Sequence, residues 1–212
     1  MIDDTAGSAA EQLSALRALV ADGRGELAVI RLRRLLQGEP RSIEAQALLA
    51  STLLSLHQPE EALRSADAVV AAEPNNPEGH HLRARVLLQL GQASPALASS
   101  EAAVDREPLV PAYHKALVRA ALRCGDLDAA QSSSAALGRL APEEPEGRLG
   151  EAEVARRRGH LKRADALIGH LEVSHPDHSG VRRLRRAIDE AKAAAPPRRG
   201  FFARLADRFR RR

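Results

Sequence analysis

The sequence is poor in the residues that usually fill a protein core. It contains no Trp, one Tyr, one Met and three Phe, so aromatic residues make up only 2% of 212 positions. Cys124 is the single cysteine, which excludes an intramolecular disulfide and fits a reducing compartment. No run of 18 apolar residues occurs, so no membrane-spanning helix is expected. Met1-Ile2-Asp3-Asp4 is acidic and lacks the basic-then-apolar order of a secretory signal, which points to the cytoplasm. Gly-rich phosphate loops, a nucleophile elbow and paired carboxylates with pocket spacing are missing too. The expectation is a protein without catalytic residues, cofactor or metal.

What charge there is lies unevenly. The net charge is +4, but residues 198–212 hold seven Arg and one Asp, which leaves −2 on residues 1–197. The basic character therefore belongs to the C-terminal tail, and an asymmetry of this kind marks an interaction segment. The Ala- and Arg-rich, Lys-poor bias has a bacterial look.

The rest of the chain is periodic. Pro40, Pro74, Pro108, Pro142 and Pro176 recur every 34 residues, and so do Ala28, Ala62, Ala96, Ala130 and Ala164. Gly23, Gly91, Gly125 and Gly159 follow the same step, broken only where His57 stands. Five units, 9–42, 43–76, 77–110, 111–144 and 145–178, keep register without an insertion or deletion. A fixed period of this length is that of a helix–turn–helix repeat. Within the first unit, Leu13, Leu16, Leu19 and Val20 precede the turn, and Leu27, Ile30, Leu32, Leu35 and Leu36 follow it at helical spacing. Each Pro stands where a second helix must stop, and forces the residue before it toward extended geometry. The Ala column predicts a close crossing of the two helices of each unit.

On this spacing the chain resembles the tetratricopeptide repeat (TPR) family over about four-fifths of its length. The resemblance implies an all-α solenoid, a right-handed superhelix of five helix–turn–helix repeats. It departs from the family in bulk. Gln12, Gln46, His80, His114 and Arg148 stand where a Trp is common, and Leu19, Leu53, Leu87, Ala121 and Ala155 where a Tyr is usual. A thinner core of Ala and Leu is the consequence. Residues 1–8 are expected to be disordered, 179–195 to form an amphipathic capping helix, and 196–200 to be a linker. Residues 201–212 then make a basic amphipathic tail helix.

The resemblance also implies a function: a non-catalytic scaffold or adaptor that holds a partner protein or peptide in a groove lined by the first helix of each repeat. Carrying the family's ligand-facing positions onto this sequence gives Arg17, His81, Arg85, Lys115, Arg119, Arg123, Arg156 and Arg157, together with Glu44, Glu78, Glu146 and Glu153. The cations from Arg85 onward gather in the later repeats, and Arg forks suit carboxylates, so an acidic peptide is expected. A chaperone-tail clamp is not, because Leu13 and Arg17 replace its Lys and Asn, and Asn75 and Asn76 lie in a loop.

In the tail, Phe201, Phe202, Leu205 and Phe209 share one helical stripe, with Arg204 and Arg208 on the other side. All three Phe of the protein are here. One reading is a peripheral helix on an anionic membrane, at the inner face in a cytoplasmic protein. Another is docking on a partner or on the groove of a neighbouring copy, which would make a homo-oligomer. A disordered solubilising tail is the third. No nucleic-acid motif accompanies the basic residues, so specific nucleic-acid binding is not expected. His170, His175 and His178 lack the cysteines and surroundings of a metal site and read as a solvated loop. Cys124 reads as a small packing residue beside Gly125.

Overall fold

A computed structural model describes residues 8–194. The N-terminal segment 1–7, the linker 196–200 and the tail 201–212 lie outside the described residues, and so do Phe201, Phe202, Arg204, Leu205, Arg208 and Phe209. Within the described residues the chain is all-α, as the periodicity predicts, with no strand. The helices are α1 (Ala9–Ala21), α2 (Gly25–Gly38), α3 (Ile43–Ser55), α4 (Pro59–Ala72), α5 (Pro77–Gln89) and α6 (Ala93–Arg106). They continue as α7 (Pro111–Cys124), α8 (Leu127–Leu140), α9 (Pro145–Arg157), α10 (Leu161–Ser174) and α11 (Ser179–Ala194).

The boundaries follow from local chemistry. Ser8 and Ser42 cap α1 and α3 through their hydroxyls, Asn76 caps α5 and Asp126 caps α8. At α1 the cap is reciprocal, since Glu11 also accepts from the Ser8 amide. Pro59, Pro77 and Pro111 open α4, α5 and α7, where a missing N–H leaves no bond unmade. Every second helix ends on a residue that precedes a proline. Glu39, Glu73, Glu107, Ala141 and His175 have φ between −126° and −137° and ψ between 60° and 83°, the extended region that a following proline imposes. The intra-repeat turns use a left-handed residue: φ is +75° to +81° at the four glycines of the turn column and +58° at His57. His57 is the only non-glycine among the described residues with positive φ.

The chain forms two compact units, divided between Gly150 and Glu151. In the first, each helix packs on the next, and α1, α3, α5 and α7 also pack on one another in sequence. This second set of contacts puts the first helices of successive repeats side by side in one layer. The core is built of Leu and Ala, as the shortage of aromatics predicts: Leu32, Leu53, Leu87 and Leu137 are fully buried, and so are Ala28, Ala62, Ala96 and Ala130. Tyr113 is the one buried aromatic of this unit. Two further small residues set close crossings. A Cβ on Gly79 would lie 2.9 Å from Val69 Cγ1, and one on Gly147 would lie 2.6 Å from the backbone nitrogen of Gly138.

In the second unit α10 and α11 pack together through Ile168, Leu171, Val181 and Ile188, all fully buried. Arg185 ties the pair from outside. Its guanidinium donates to Glu172 at 2.6 and 2.8 Å and to Asp165 at 2.5 Å. Lys192, which also donates to Asp165 at 2.5 Å, and then Arg185 hold the Asp165 carboxyl below its usual range. Arg185 does the same for Glu172, and Glu172, first among its partners, holds the arginine above its own.

Candidate functional site

The layer of first helices in the first unit carries an open cavity of about 830 Å³. It spans all four of them. Arg17 comes from α1; Glu44, Ala47 and Ser51 from α3; Glu78, His81 and Arg85 from α5; Ala112 and Tyr113 from α7. Helical geometry explains the choice. Residues spaced by three, four and seven on a helix share a face, so 44, 47 and 51, or 78, 81 and 85, look the same way.

Of the residues that the sequence puts forward, Arg17, His81 and Arg85 line this cavity. Among the described residues Arg17 and Arg85 have no ion-pair partner. Arg119 is exposed and equally unpaired, but it is not part of the cavity lining. The others are engaged within the protein. Lys115 pairs with Glu144, and reaches Glu146 at 3.8 Å. Arg123 donates to the Leu88 carbonyl. Arg156 and Arg157, in the second unit, both pair with Glu153, at 2.8 and 2.6 Å. The cations at the cavity without an ion-pair partner among the described residues therefore come from the first and third repeats, and of the cluster that begins at Arg85 only Arg85 itself lines the cavity.

The lining contains acids as well. Glu44, Glu73 and Glu78 stand at the end of the cavity nearest the N-termini of α3 and α5, and Arg41 is in the loop leading into α3. Glu73 accepts from the Asn76 amide at 2.6 Å. Arg41 and Glu73 escape the repeat template because they lie in loops, outside the first helices that it assigns to the groove.

His81 is the unusual titratable group. Its ring stands 5.0 Å from that of Tyr113, tilted by 41°. Burial, helped by the positive charge of Arg85, pushes its pKa from 6.5 down to about 4, so it is neutral at pH 7. Its Nδ1 is buried without a hydrogen-bond partner among the described residues. The Tyr113 hydroxyl is pushed up, by burial first and then by Glu107 and Glu78.

The residues at the family's Trp position do structural work in two repeats. His80 Nε2 donates to the Pro74 carbonyl at 2.8 Å, and His114 Nε2 donates to the Pro108 carbonyl at 2.9 Å. Since His114 uses Nε2 as donor, its Nδ1 accepts from the Ser133 hydroxyl, 3.2 Å away. Each imidazole thus anchors the loop that joins its repeat to the one before. Cys124 is exposed, with Sγ 3.9 Å from the Ser94 hydroxyl. Among the described residues no three His, Cys, Asp or Glu side chains gather as a metal site, and no helix is long and apolar enough to cross a membrane. The cavity thus sets exposed Arg17 and Arg85 beside exposed Glu44 and Glu78, over a lining that mixes small residues such as Ala47, Ser51 and Ala112 with Leu48, Leu82 and Tyr113.

The profile of the tetratricopeptide repeat family matches residues 19–86. Comparison with curated proteins finds no match. Solved structures are similar over most of the chain. A thermophilic TPR protein of Thermus thermophilus is 24% identical with a TM-score of 0.62, over 83% of this chain and 96% of that one. YrrB, described as a TPR protein with an unusual peptide-binding site, is 17% identical with a TM-score of 0.71, over 82% and 90%. MamA from Desulfovibrio magneticus RS-1 is 21% identical with a TM-score of 0.71, over 85% and 97%.

Proposed function

We propose that this chain is a tetratricopeptide repeat protein and acts as a non-catalytic adaptor that holds a peptide segment of a partner protein across α1, α3, α5 and α7. A repeat fold of this kind serves as a protein-interaction scaffold in general, and the site decides what is held. The observation that carries the peptide reading is the open cavity of about 830 Å³ with Arg17 and Arg85 unpaired on its wall. Elsewhere on the ligand-facing positions, Lys115, Arg156 and Arg157 have carboxylates to pair with. Leaving long cations without partners in a concavity while satisfying others nearby favours a site that an occupant completes. The peptide-binding site named for YrrB gives the same reading on a related fold.

The basic tail supplies the second half of the proposal. Three Phe and seven Arg between residues 198 and 212 suit a reversible attachment to an anionic membrane surface at the cytoplasmic face. Each Arg near such a surface contributes about 1 kcal/mol, enough together for peripheral binding.

Two experiments test the proposal. Capture of partners from a lysate by the full-length protein, repeated with Arg17→Glu and Arg85→Glu, should lose the specific partner; unchanged capture removes the groove. Co-sedimentation with vesicles containing phosphatidylserine should pellet the full-length chain and leave a 1–197 truncation in the supernatant. Equal pelleting of the two removes the membrane half.

A further inference from the structure

The charges around the cavity are sorted. Arg17 and Arg85 occupy the same position of their repeats, two turns into α1 and α5. Glu44 and Glu78 share another, in the first turn of α3 and α5. On α5 the acid and the base are seven residues apart, which puts them on one face and about 10.5 Å apart along the axis. That distance exceeds ion-pair range and is comparable to the screening length at physiological salt, so neither neutralises the other. Glu73 reinforces the acidic edge and Arg41 only partly offsets it, so this edge is net negative while the other is positive.

Between the edges the floor is electrically quiet. Ala47 is there and His81 is neutral at pH 7, while Lys115, at the same position of the next repeat, lies outside the lining and is paired with Glu144. The cavity therefore presents two edges of opposite sign, Arg17 of α1 and Arg85 of α5 on one and Glu44 of α3 and Glu78 of α5 on the other, with an uncharged lane between them that continues onto α7.

We propose that the segment bound here is an extended strand of a partner protein in which basic and acidic side chains alternate, the basic ones facing Glu44 and Glu78 and the acidic ones facing Arg17 and Arg85. A strand directs successive side chains to opposite sides. Laid across the helices, it sends odd positions to one edge and even positions to the other. A helix in the same lane would spread its side chains around its axis every 3.6 residues and would not sort them this way. The length also fits. Four neighbouring helices at roughly 8–10 Å spacing span about 25–30 Å, the reach of about eight or nine extended residues at about 3.3 Å each. A uniformly acidic segment is disfavoured, because half of its carboxylates would face the glutamate edge.

This inference rests on the groove reading and refines it, so the test separates the two. Full-length protein is probed on an array of random peptides of about ten residues and, by fluorescence anisotropy, with three defined peptides of that length. One alternates Lys and Glu, one has the same composition with the charges in two blocks, and one is all Glu. The alternating peptide should bind at least about tenfold more tightly than its block isomer, a difference of roughly 1.4 kcal/mol, and rising salt should weaken it. Glu44→Arg with Glu78→Arg makes both edges positive, and should move the preference to the all-Glu peptide. Both glutamates are exposed, so the fold should survive, and unchanged circular dichroism checks this. Array peptides that bind and cross-link to α3 and α5 without preferring alternation would overturn the inference and leave the groove standing. A block isomer or all-Glu peptide that binds the unaltered protein as well as the alternating one would do the same. Absence of binding by any peptide overturns both.

Discussion

Gly147→Ala should destabilise the protein, although alanine is the better helix former. The added Cβ would stand 2.6 Å from the Gly138 nitrogen, 2.9 Å from Gly138 Cα and 3.1 Å from the Ser134 carbonyl oxygen. Those are backbone atoms inside α8, so no side chain can swing away. Restoring an ordinary contact near 3.5 Å requires the two helices to part by roughly 0.5–1 Å. Overpacking of this kind costs about 1–3 kcal/mol. Against it stands at most about 1 kcal/mol of helix propensity, and less in the first turn of α9 where Gly147 lies. The net expectation is a loss of about 1–2 kcal/mol. Gly79 and Gly147 occupy the same repeat position, but a Cβ on Gly79 meets a side-chain methyl of Val69 at 2.9 Å, which can shift in part. Gly79→Ala should therefore cost less. Gly169, in the interior of α10, meets nothing nearer than Arg185 Nη2 at 3.8 Å, and Gly169→Ala should stabilise by up to about 1 kcal/mol. Urea midpoints by circular dichroism rank the three, and hydrogen exchange in α8 localises the first, which matters because repeat arrays need not unfold in one step. A Gly147→Ala protein as stable as the parent, or less perturbed than Gly169→Ala, refutes the argument.

Other outcomes follow from single observations. His57→Gly should raise stability by about 1 kcal/mol, because a side chain at φ +58° carries the left-handed strain that glycine avoids, and only an exposed bond from Gln89 is lost; a lower melting temperature contradicts this. Ala62→Leu should cost about 1–3 kcal/mol, since the methyl is fully buried at the crossing of two helices; denaturant titration decides. For His81 the sign runs with acid. Its folded pKa of about 4 lies below the unfolded 6.5, so the unfolded chain takes up the proton first, and its contribution is full above pH 6.5 and lost as pH falls to 4. His81→Phe, which keeps a ring against Tyr113, should flatten the pH profile of the melting temperature in that window; an unchanged profile would place the acid sensitivity elsewhere. Arg185→Ala should loosen α10 from α11 by about 1 kcal/mol, with a smaller effect in high salt.

How much of this could be read beforehand depends on what a 34-residue period encodes. Steric demands repeat, so they are legible. The prolines fix the extended residues at the ends of the second helices, the glycines fix the left-handed turns, and the alanine column fixes the buried crossing. His57 is informative here: the turn keeps its positive φ even where the residue is wrong for it, so the fold imposes the conformation and the glycine merely suits it. Charge partners do not repeat. Lys115 finds Glu144, which sits in an inter-repeat loop, and Arg123 finds a backbone carbonyl that any sequence would supply. A template that says which way a side chain faces is silent on what lies 3 Å beyond it, and an arginine on the expected face counts toward ligand binding only if that space is empty. The acids matter in the same way: Glu44 and Glu78 share the ligand-facing positions with the cations, and a partner meets both signs at once. The sign pattern across a groove, rather than the number of arginines along it, is therefore the quantity that sets what such a surface can hold.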